Sequence, residues 1–342
     1  MTRNDPLHRF ERQMRFQPFG RAGQERLATK SALVVGVGAL GGAIAQSLVR
    51  SGIGRLVLVD RDFVETTNLP RQVLFDERHA RDGALKVDAA RESLARIGGP
   101  TRIETHAEHL DADNMEGLAR GVDVVLDGTD NLSTRYLVND YAVERGVPWV
   151  YGGVVSANGL VLAVVPGAGP CLRCLFPEPA PPSSLPTCET AGVLQPAVAA
   201  VAAFQAGLAL RLLVDPTGFS PRLVEIEAWD GSARALALER DPACPCCARR
   251  EFPFLHEPAT QRAVALCGRN TVQVRGTRAR PDLAALEGTL RAVARGLRRE
   301  GALLRFEVEE HRFTVFADGR ALIEGTDDLG RALALYDRWV GT

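Results

Sequence analysis

Lysine is nearly absent from this chain. Of its 41 basic residues only Lys30 and Lys86 are lysines, and the rest are arginines. Codon bias alone produces such a skew, but it makes each retained lysine worth locating. Net charge is missing too: 42 acidic residues leave a balance of -1, without the bulk field that steers a protein to nucleic acid or a membrane surface. The charged start, MTRNDPLHRFERQMRF, lacks an apolar h-region, so no secretory signal is expected. Long uncharged runs are lacking except one, Ala191 to Leu210, which approaches the length of a membrane span. It is alanine-rich, holds Gln195, Pro196 and Gln205, and has no aromatic belt. It reads as a buried helix, in a core or a subunit interface. No membrane is expected, and the location expected is cytoplasmic. Internal repeats are also lacking.

Cysteine is present, and in an odd number: seven in 342 residues, far too long a chain for a disulfide-stapled domain. In a reducing compartment, clustered cysteines favour metal binding or catalysis over disulfides. Cys171 and Cys174 form one C-x-x-C, and Cys244 and Cys247 a second, with Cys246 between them as a surplus thiol. Four thiolates are the ligand set of a closed structural Zn²⁺ site. The 69 residues between the pairs exceed a zinc-ribbon spacing, so a redox pair stays open on spacing alone. His106 and His109 have metal-compatible spacing but no supporting ligands, and read as surface or core histidines.

The chain from Ser31 alternates strand and helix signals. ALVV (32–35) and RLVLVD (55–60) read as buried strands around a helix that ends at Gly52, a βαβ unit implying a parallel sheet. A helix follows over 83–98, a strand over 101–110, a strand over 122–130, a helix over 135–146, and strands at 148–155 and 160–166. This is an open α/β sheet, Rossmann-like and doubly wound, with its ligand expected at the carboxyl ends of the strands. Five prolines between Pro177 and Pro186 exclude helix or interior strand there. After the second cysteine pair, 251–263 reads as a linker. Beyond it come a strand at 271–275, a helix at 281–301, a strand at 303–310, a hairpin at 312–325 turning on Asp318-Gly319, and a helix at 327–341. That tail is a small α/β domain.

Gly36, Gly38 and Gly41 form G-x-G-x-x-G between the first strand and its helix, with Asp60 ending the next strand. Glycines there let backbone approach phosphates at a helix N-terminus, so a nucleotide is indicated, but not which one. On the loop alone an NAD-dependent oxidoreductase is the first reading. The next residues point elsewhere. Asp62, Asn68, Arg71 and Gln72 crowd within the segment from Asp60 to Gln72. A triphosphate site gains from an arginine placed there far more than a hydride-transfer site does. Lys86 reads either as a phosphate ligand or as a solvated helix lysine. Asp127 and Asp130, in LDGTDN, could hold Mg²⁺ beside phosphate oxygens, or form a turn with Asp130-Asn131 capping the next helix.

The motifs RFERQMRF, GVGALGG, LVLVDRDFVETTNLPRQ, KVDAA, LDGTDN, CLRC, TCETAGVLQP and CPCC occur in that order. Together they resemble the ThiF/MoeB/HesA family of ubiquitin-activating-enzyme-like adenylyltransferases, over roughly residues 7 to 250. The resemblance implies an enzyme that joins the C-terminal glycine carboxylate of a ubiquitin-like sulfur carrier, ending in Gly-Gly, to AMP from ATP. A sulfur donor protein would then convert the adenylate to a thiocarboxylate, in thiamine, molybdopterin or related biosynthesis. It implies that Gly36, Gly38 and Gly41 line the nucleotide loop, that Asp60 holds the ribose beside Asp62, and that Asn68, Arg71, Gln72 and Lys86 meet the phosphates. Asp130 would organise Mg²⁺ or the adenylating geometry. Arg12 would reach across a homodimer into the partner's ATP site. Cys188 would link to the carrier or accept sulfur, although no histidine lies near it in sequence, and a loop cysteine is the plain alternative. The four paired cysteines would hold Zn²⁺, leaving Cys246 free. Relatives that adenylate a tRNA base are a further alternative, which the near-neutral charge does not support. The domains expected are 1–257, catalytic with the zinc site; 258–263, a linker; and 264–342, small and of unknown role. The tail is short for a rhodanese domain, and its single cysteine, Cys267, stands at its start, so no sulfurtransferase activity is expected from it.

Overall fold

The computed structural model describes residues 5–180, 188–256, 263–266, 270–276, 281–301, 303–317 and 319–341. The chain divides into two compact units, Met1–Pro258 and Ala259–Thr342.

The first unit is built on eight strands: β1 (Ser31–Val35), β2 (Arg55–Val59), β3 (Arg102–His106), β4 (Val124–Asp127), β5 (Trp149–Val155), β6 (Asn158–Val164), β7 (Arg222–Glu227) and β8 (Ser232–Ala237). Their order is β3-β2-β1-β4-β5-β6-β7-β8. From β3 to β5 the neighbours are parallel. From β5 onward they are antiparallel, so the parallel reading holds for only part of the sheet. The reason is local: Ser156-Ala157 is all that joins β5 to β6, too short for a crossover helix and long enough for a hairpin. The winding reverses between β1 and β4, the switch point at which an open α/β sheet binds its ligand. β1 is buried along its whole length, as is β4, which is why both read as unbroken apolar runs.

The helix Ala39–Ser51 returns from β1 and stops at Gly52, whose φ of 84° closes it in the left-handed region. The uncharged run forms the helix Gln195–Val214, starting four residues later than Ala191 because Pro196 suits only a first turn. Among the described residues it is the helix long and apolar enough to cross a membrane, yet 56% of its most apolar window is buried inside the unit. It packs on the helix Ala39–Ser51 and on β5 and β6. The expected strand at 101–110 shortens to β3, and a helix Ala112–Leu118 follows, capped by Asp111. The expected linker is in part structured: Pro253–His256 is a helical turn, with the Phe254 ring centroid 4.9 Å from that of Tyr136 at a tilt of 43°.

The second unit carries six strands: β9 (Ala263–Leu266), β10 (Thr271–Arg275), β11 (Arg295–Glu300), β12 (Leu303–Val308), β13 (His311–Phe316) and β14 (Arg320–Glu324), in the antiparallel order β11-β12-β13-β14-β10-β9. Helices Leu283–Leu290 and Leu329–Trp339 supply the rest of its core. The helix expected over 281–301 ends at Leu290, and its second half is β11. Alanine and arginine favour helix there, but Gly296 at φ 60° breaks it and the ladder to β12 takes over. The hairpin of β13 and β14 forms as the pattern predicts, with Phe306 and Phe313 stacked at 4.8 Å across β12 and β13. Asp318 and Cys267 lie outside the described residues.

Candidate functional site

The glycine loop sits at the carboxyl end of β1. Gly36 has φ +82°, and a Cβ at Gly41 would lie 1.8 Å from the Gly36 carbonyl oxygen. A Cβ at Gly128, beyond β4, would lie 2.3 Å from the same oxygen. Only bare backbone fits in this crossing of three segments, and it leaves the N-terminus of the helix Ala39–Ser51 open. That first turn carries no acidic residue, so its amides and dipole favour an anion.

Around the loop the fold gathers the residues from Asp60 to Lys86. The Asp60 carboxylate accepts the Val37 N–H at 2.6 Å and the Asp62 N–H at 2.8 Å, tying the glycine loop to the end of β2. Burial pushes its pKa up, against the pull of Lys86. Lys86 is 5% exposed, so it is not a solvated helix lysine. It stands first, not inside, in the helix Lys86–Ala95, and its ammonium lies 3.0 Å from Asp62 Oδ2. Asn68 is buried at the end of the 3₁₀ turn Thr66–Asn68, where its Oδ1 accepts the Glu65 N–H at 3.1 Å. Arg71 is half-buried and donates to the Thr67 carbonyl at 2.7 Å. Gln72 is buried beside Gly38, and its Oε1 has no hydrogen-bond partner. A buried acceptor left unpaired costs about 1–3 kcal/mol, so a donor from a ligand is expected there.

The two aspartates after β4 have separate roles. Asp127 is shut away, accepting from the Thr129 N–H and hydroxyl, both at 2.9 Å, and from Arg135 Nε at 2.8 Å. It is not available for a metal. Asp130 is exposed and, among the described residues, accepts no hydrogen bond. The helix cap is Asn131 alone, accepting the Thr134 N–H at 3.2 Å. The sequence reading missed Arg135 and the role of Gln205. Arg135 looks like an ordinary helix arginine until β4 and β5 are adjacent. The visible signal for Gln205 was an amide in an uncharged apolar helix; it donates to the Asp127 carbonyl at 2.8 Å.

The remaining candidates lie apart. Arg12 is exposed in the turn Glu11–Met14. Its neighbour Gln13 bonds to the Ser51 carbonyl, at the far end of the helix from the glycine loop. That helix spans about 20 Å, so Arg12 is not brought to the loop of its own chain. Cys188 opens the helical turn Cys188–Ala191, but its side chain lies outside the described residues, as does the segment 181–187. His106 ends β3, 3.4 Å from Glu108, with no cysteine beside it.

The two C-x-x-C pairs close on one another. The sulfurs of Cys171, Cys174, Cys244 and Cys247 all lie within 4.8 Å, with Cys171–Cys244 at 3.6 Å and Cys174–Cys247 at 3.4 Å. A tetrahedral Zn²⁺ with bonds of about 2.3 Å sets sulfurs roughly 3.8 Å apart, which this cluster matches. Hydrogen bonding to Cys246, burial and the adjacent sulfurs push the Cys171 thiol's pKa up, a direction that a bound cation would reverse. Cys246 stands outside this group of four; it is fully buried and accepts from Asn139 Nδ2 at 3.2 Å. The same Asn139 accepts the Leu172 N–H at 2.9 Å, so one helix residue braces both pairs. Asp140, pushed up to about 6 by burial, lies 3.5 Å from Arg173 and accepts the Phe254 N–H.

The geometry defines a nucleotide-binding α/β domain with a glycine-loop cleft on one edge of its switch point and a separate four-cysteine metal-type cluster. The ThiF family pattern matches residues 10–246, and the chain belongs to that family. It is 40% identical over 337 residues to a Bacillus subtilis (strain 168) protein named sulfur carrier protein ThiS adenylyltransferase, covering 97% of this chain and 99% of that one. A Thermus thermophilus protein, named sulfur carrier protein adenylyltransferase, is 39% identical over 249 residues, 71% of this chain and 91% of its own. Among solved structures, E. coli MccB with ATP shares the fold at a TM-score of 0.61 and 22% identity, over 70% of this chain and 74% of that one.

Proposed function

We propose that this protein is an adenylyltransferase that uses ATP to activate the C-terminal glycine carboxylate of a ubiquitin-like sulfur carrier of the ThiS or MoaD type. A carboxylate oxygen of the carrier attacks the α-phosphorus, the bond from that phosphorus to the bridging oxygen of pyrophosphate breaks, and an acyl-adenylate forms. Such a reaction needs positive charge against the phosphates and an aligned nucleophile. The observation that carries the reading is the buried set beside the glycine loop: Lys86, Asn68 and Gln72, with the unpaired Gln72 Oε1.

In this reading the loop at Gly36, Gly38 and Gly41 takes the phosphates, while Lys86 and Arg71 neutralise charge on the α-phosphate and the departing pyrophosphate. Asp60 meets the ribose and Asp62 steadies Lys86. The exposed Asp130 carboxylate would hold Mg²⁺, which would supply positive charge against the phosphates. Arg12 acts in a homodimer, on the partner's cleft, a role that its exposed position supports. Cys188 handles the activated carrier or its sulfur, and a sulfur donor protein acts after adenylation. Cys171, Cys174, Cys244 and Cys247 hold Zn²⁺ as a structural brace away from the chemistry. The second unit binds the carrier or extends the dimer; unchanged carrier affinity and dimer mass after truncation at Glu257 would remove that role.

The test is ATP–pyrophosphate exchange with purified carriers that end in Gly-Gly. Exchange with one carrier names the pathway. Exchange with none, in a protein that binds ATP, sinks the proposal.

A further inference from the structure

Arg135 lies in the first turns of the helix Leu132–Arg145 and belongs to none of the phosphate-facing residues above. Its guanidinium spans the carboxyl end of β4 and the middle of β5. Nε donates to Asp127 Oδ2 at 2.8 Å, and Nη2 donates to the Thr129 carbonyl at 2.7 Å and the Gly152 carbonyl at 2.9 Å. The two charged side chains are 11% and 3% exposed. The Tyr151 ring lies 5.2 Å from the guanidinium carbon, closing one side. From the other side, Gln205 Nε2 donates to the Asp127 carbonyl. The turn Gly128-Thr129-Asp130 is therefore held at its root from two helices and two strands, while Asp130 is exposed, with its charge felt by Arg135.

A buried ion pair is weak support for stability, because desolvation offsets its attraction. Its use must be looked for in what it orients. Here the oriented object is a turn wedged against the glycine loop, where a Cβ at Gly128 would meet the Gly36 carbonyl. Three of the five guanidinium N–H groups are committed to this turn and its flanks. A lysine would keep the charge but could not reproduce the fork.

We infer that Arg135 is a positioning residue for adenylation: by clamping Asp127, Thr129 and Gly152 together, it fixes the turn that presents the Asp130 carboxylate to the nucleotide cleft. This rests on the adenylyltransferase reading. The experiment compares the parent with Arg135→Lys for pyrophosphate-exchange kcat, affinity for a non-hydrolysable ATP analogue by calorimetry, and amide hydrogen exchange over residues 127–131. A misplacement of about 1 Å can cost about 100-fold in rate, so kcat is expected to fall by that order while ATP affinity stays within about threefold and amides 127–131 exchange faster. Parent-like kcat, or parent-like protection at 127–131, would overturn the inference. So would a loss of ATP affinity equal to the loss of rate, since Arg135 would then touch the nucleotide. Where the lysine variant does not fold, the charge-neutral pair Asp127→Asn with Arg135→Gln is read in the same way. A parent that exchanges with no carrier sinks the adenylyltransferase reading instead, and the clamp is then judged on amide protection alone.

Discussion

The glycine-loop cleft and the four-cysteine cluster lie in the same unit and are built on opposite principles. The cleft is made by leaving things out. Glycines remove side chains so that three backbone segments can cross, and polar groups, Lys86, Asn68 and Gln72, are buried around the opening. The cluster is made by filling in. Cys171, Cys244, Cys246 and Asn139 are buried and Cys174 and Cys247 half-buried, with Asn139 hydrogen-bonded to Cys246 and to the Leu172 N–H. The cleft spends stability to be ready for a ligand, as the unpaired Gln72 Oε1 illustrates. The cluster is a staple between the segments that follow β6 and β8. A loss in the first should therefore appear in turnover, and a loss in the second in folding.

Substitutions can break that division. The largest expected effect is on the staple: Cys244→Ser should eliminate bound zinc, measured as metal per chain, and destabilise by at least about 4 kcal/mol, since binding energy at such sites is folding energy. For a unit of this size that is roughly 8–16 °C in Tm. Metal retained at one per chain would refute the ligand assignment. Next comes Lys86→Ala, expected to lower pyrophosphate exchange by about 10²–10³-fold, the range for losing one preorganised charge-stabilising donor. Calorimetric Tm should move little, and a collapse of Tm with unchanged specific activity would place Lys86 on the structural side. Gly41→Ala sharpens the cleft side: with 1.8 Å to the Gly36 carbonyl, the loop must open, so ATP affinity should drop and stability fall by about 1–3 kcal/mol. Parent-like ATP titration would show the crossing to be adaptable. The smallest effect is expected at Cys246→Ser, about 1 kcal/mol by denaturant unfolding with metal content intact. Loss of the metal there would make Cys246 part of the ligand set.

Much of this was legible in the chain. The period and glycine punctuation of residues 31–60 specify a βαβ unit, because strand, tight turn and helix each depend on near neighbours. The paired two-residue gaps of the cysteines separate the outer thiols from Cys246. Other parts were not legible for an equally physical reason. Arginine and alanine between Arg291 and Arg299 favour helix locally, yet the ladder with β12 decides the outcome. Asp127 and Asp130 look interchangeable in LDGTDN; only the arrival of Arg135 from a following helix hides one and leaves the other exposed.

By itself, then, the sequence determined the glycine loop, the family's order of motifs and the two C-x-x-C pairs, since each rests on contacts or spacings within a few residues. The tertiary structure decided which lysine is buried, which aspartate is exposed, that the segment of Arg12 packs at the far end of the helix Ala39–Ser51 from the glycine loop, and that Asn139 and Arg135 brace the two sites. Those are facts about groups distant in sequence, and burial and hydrogen bonding between them exist only once the sheet has brought their segments together.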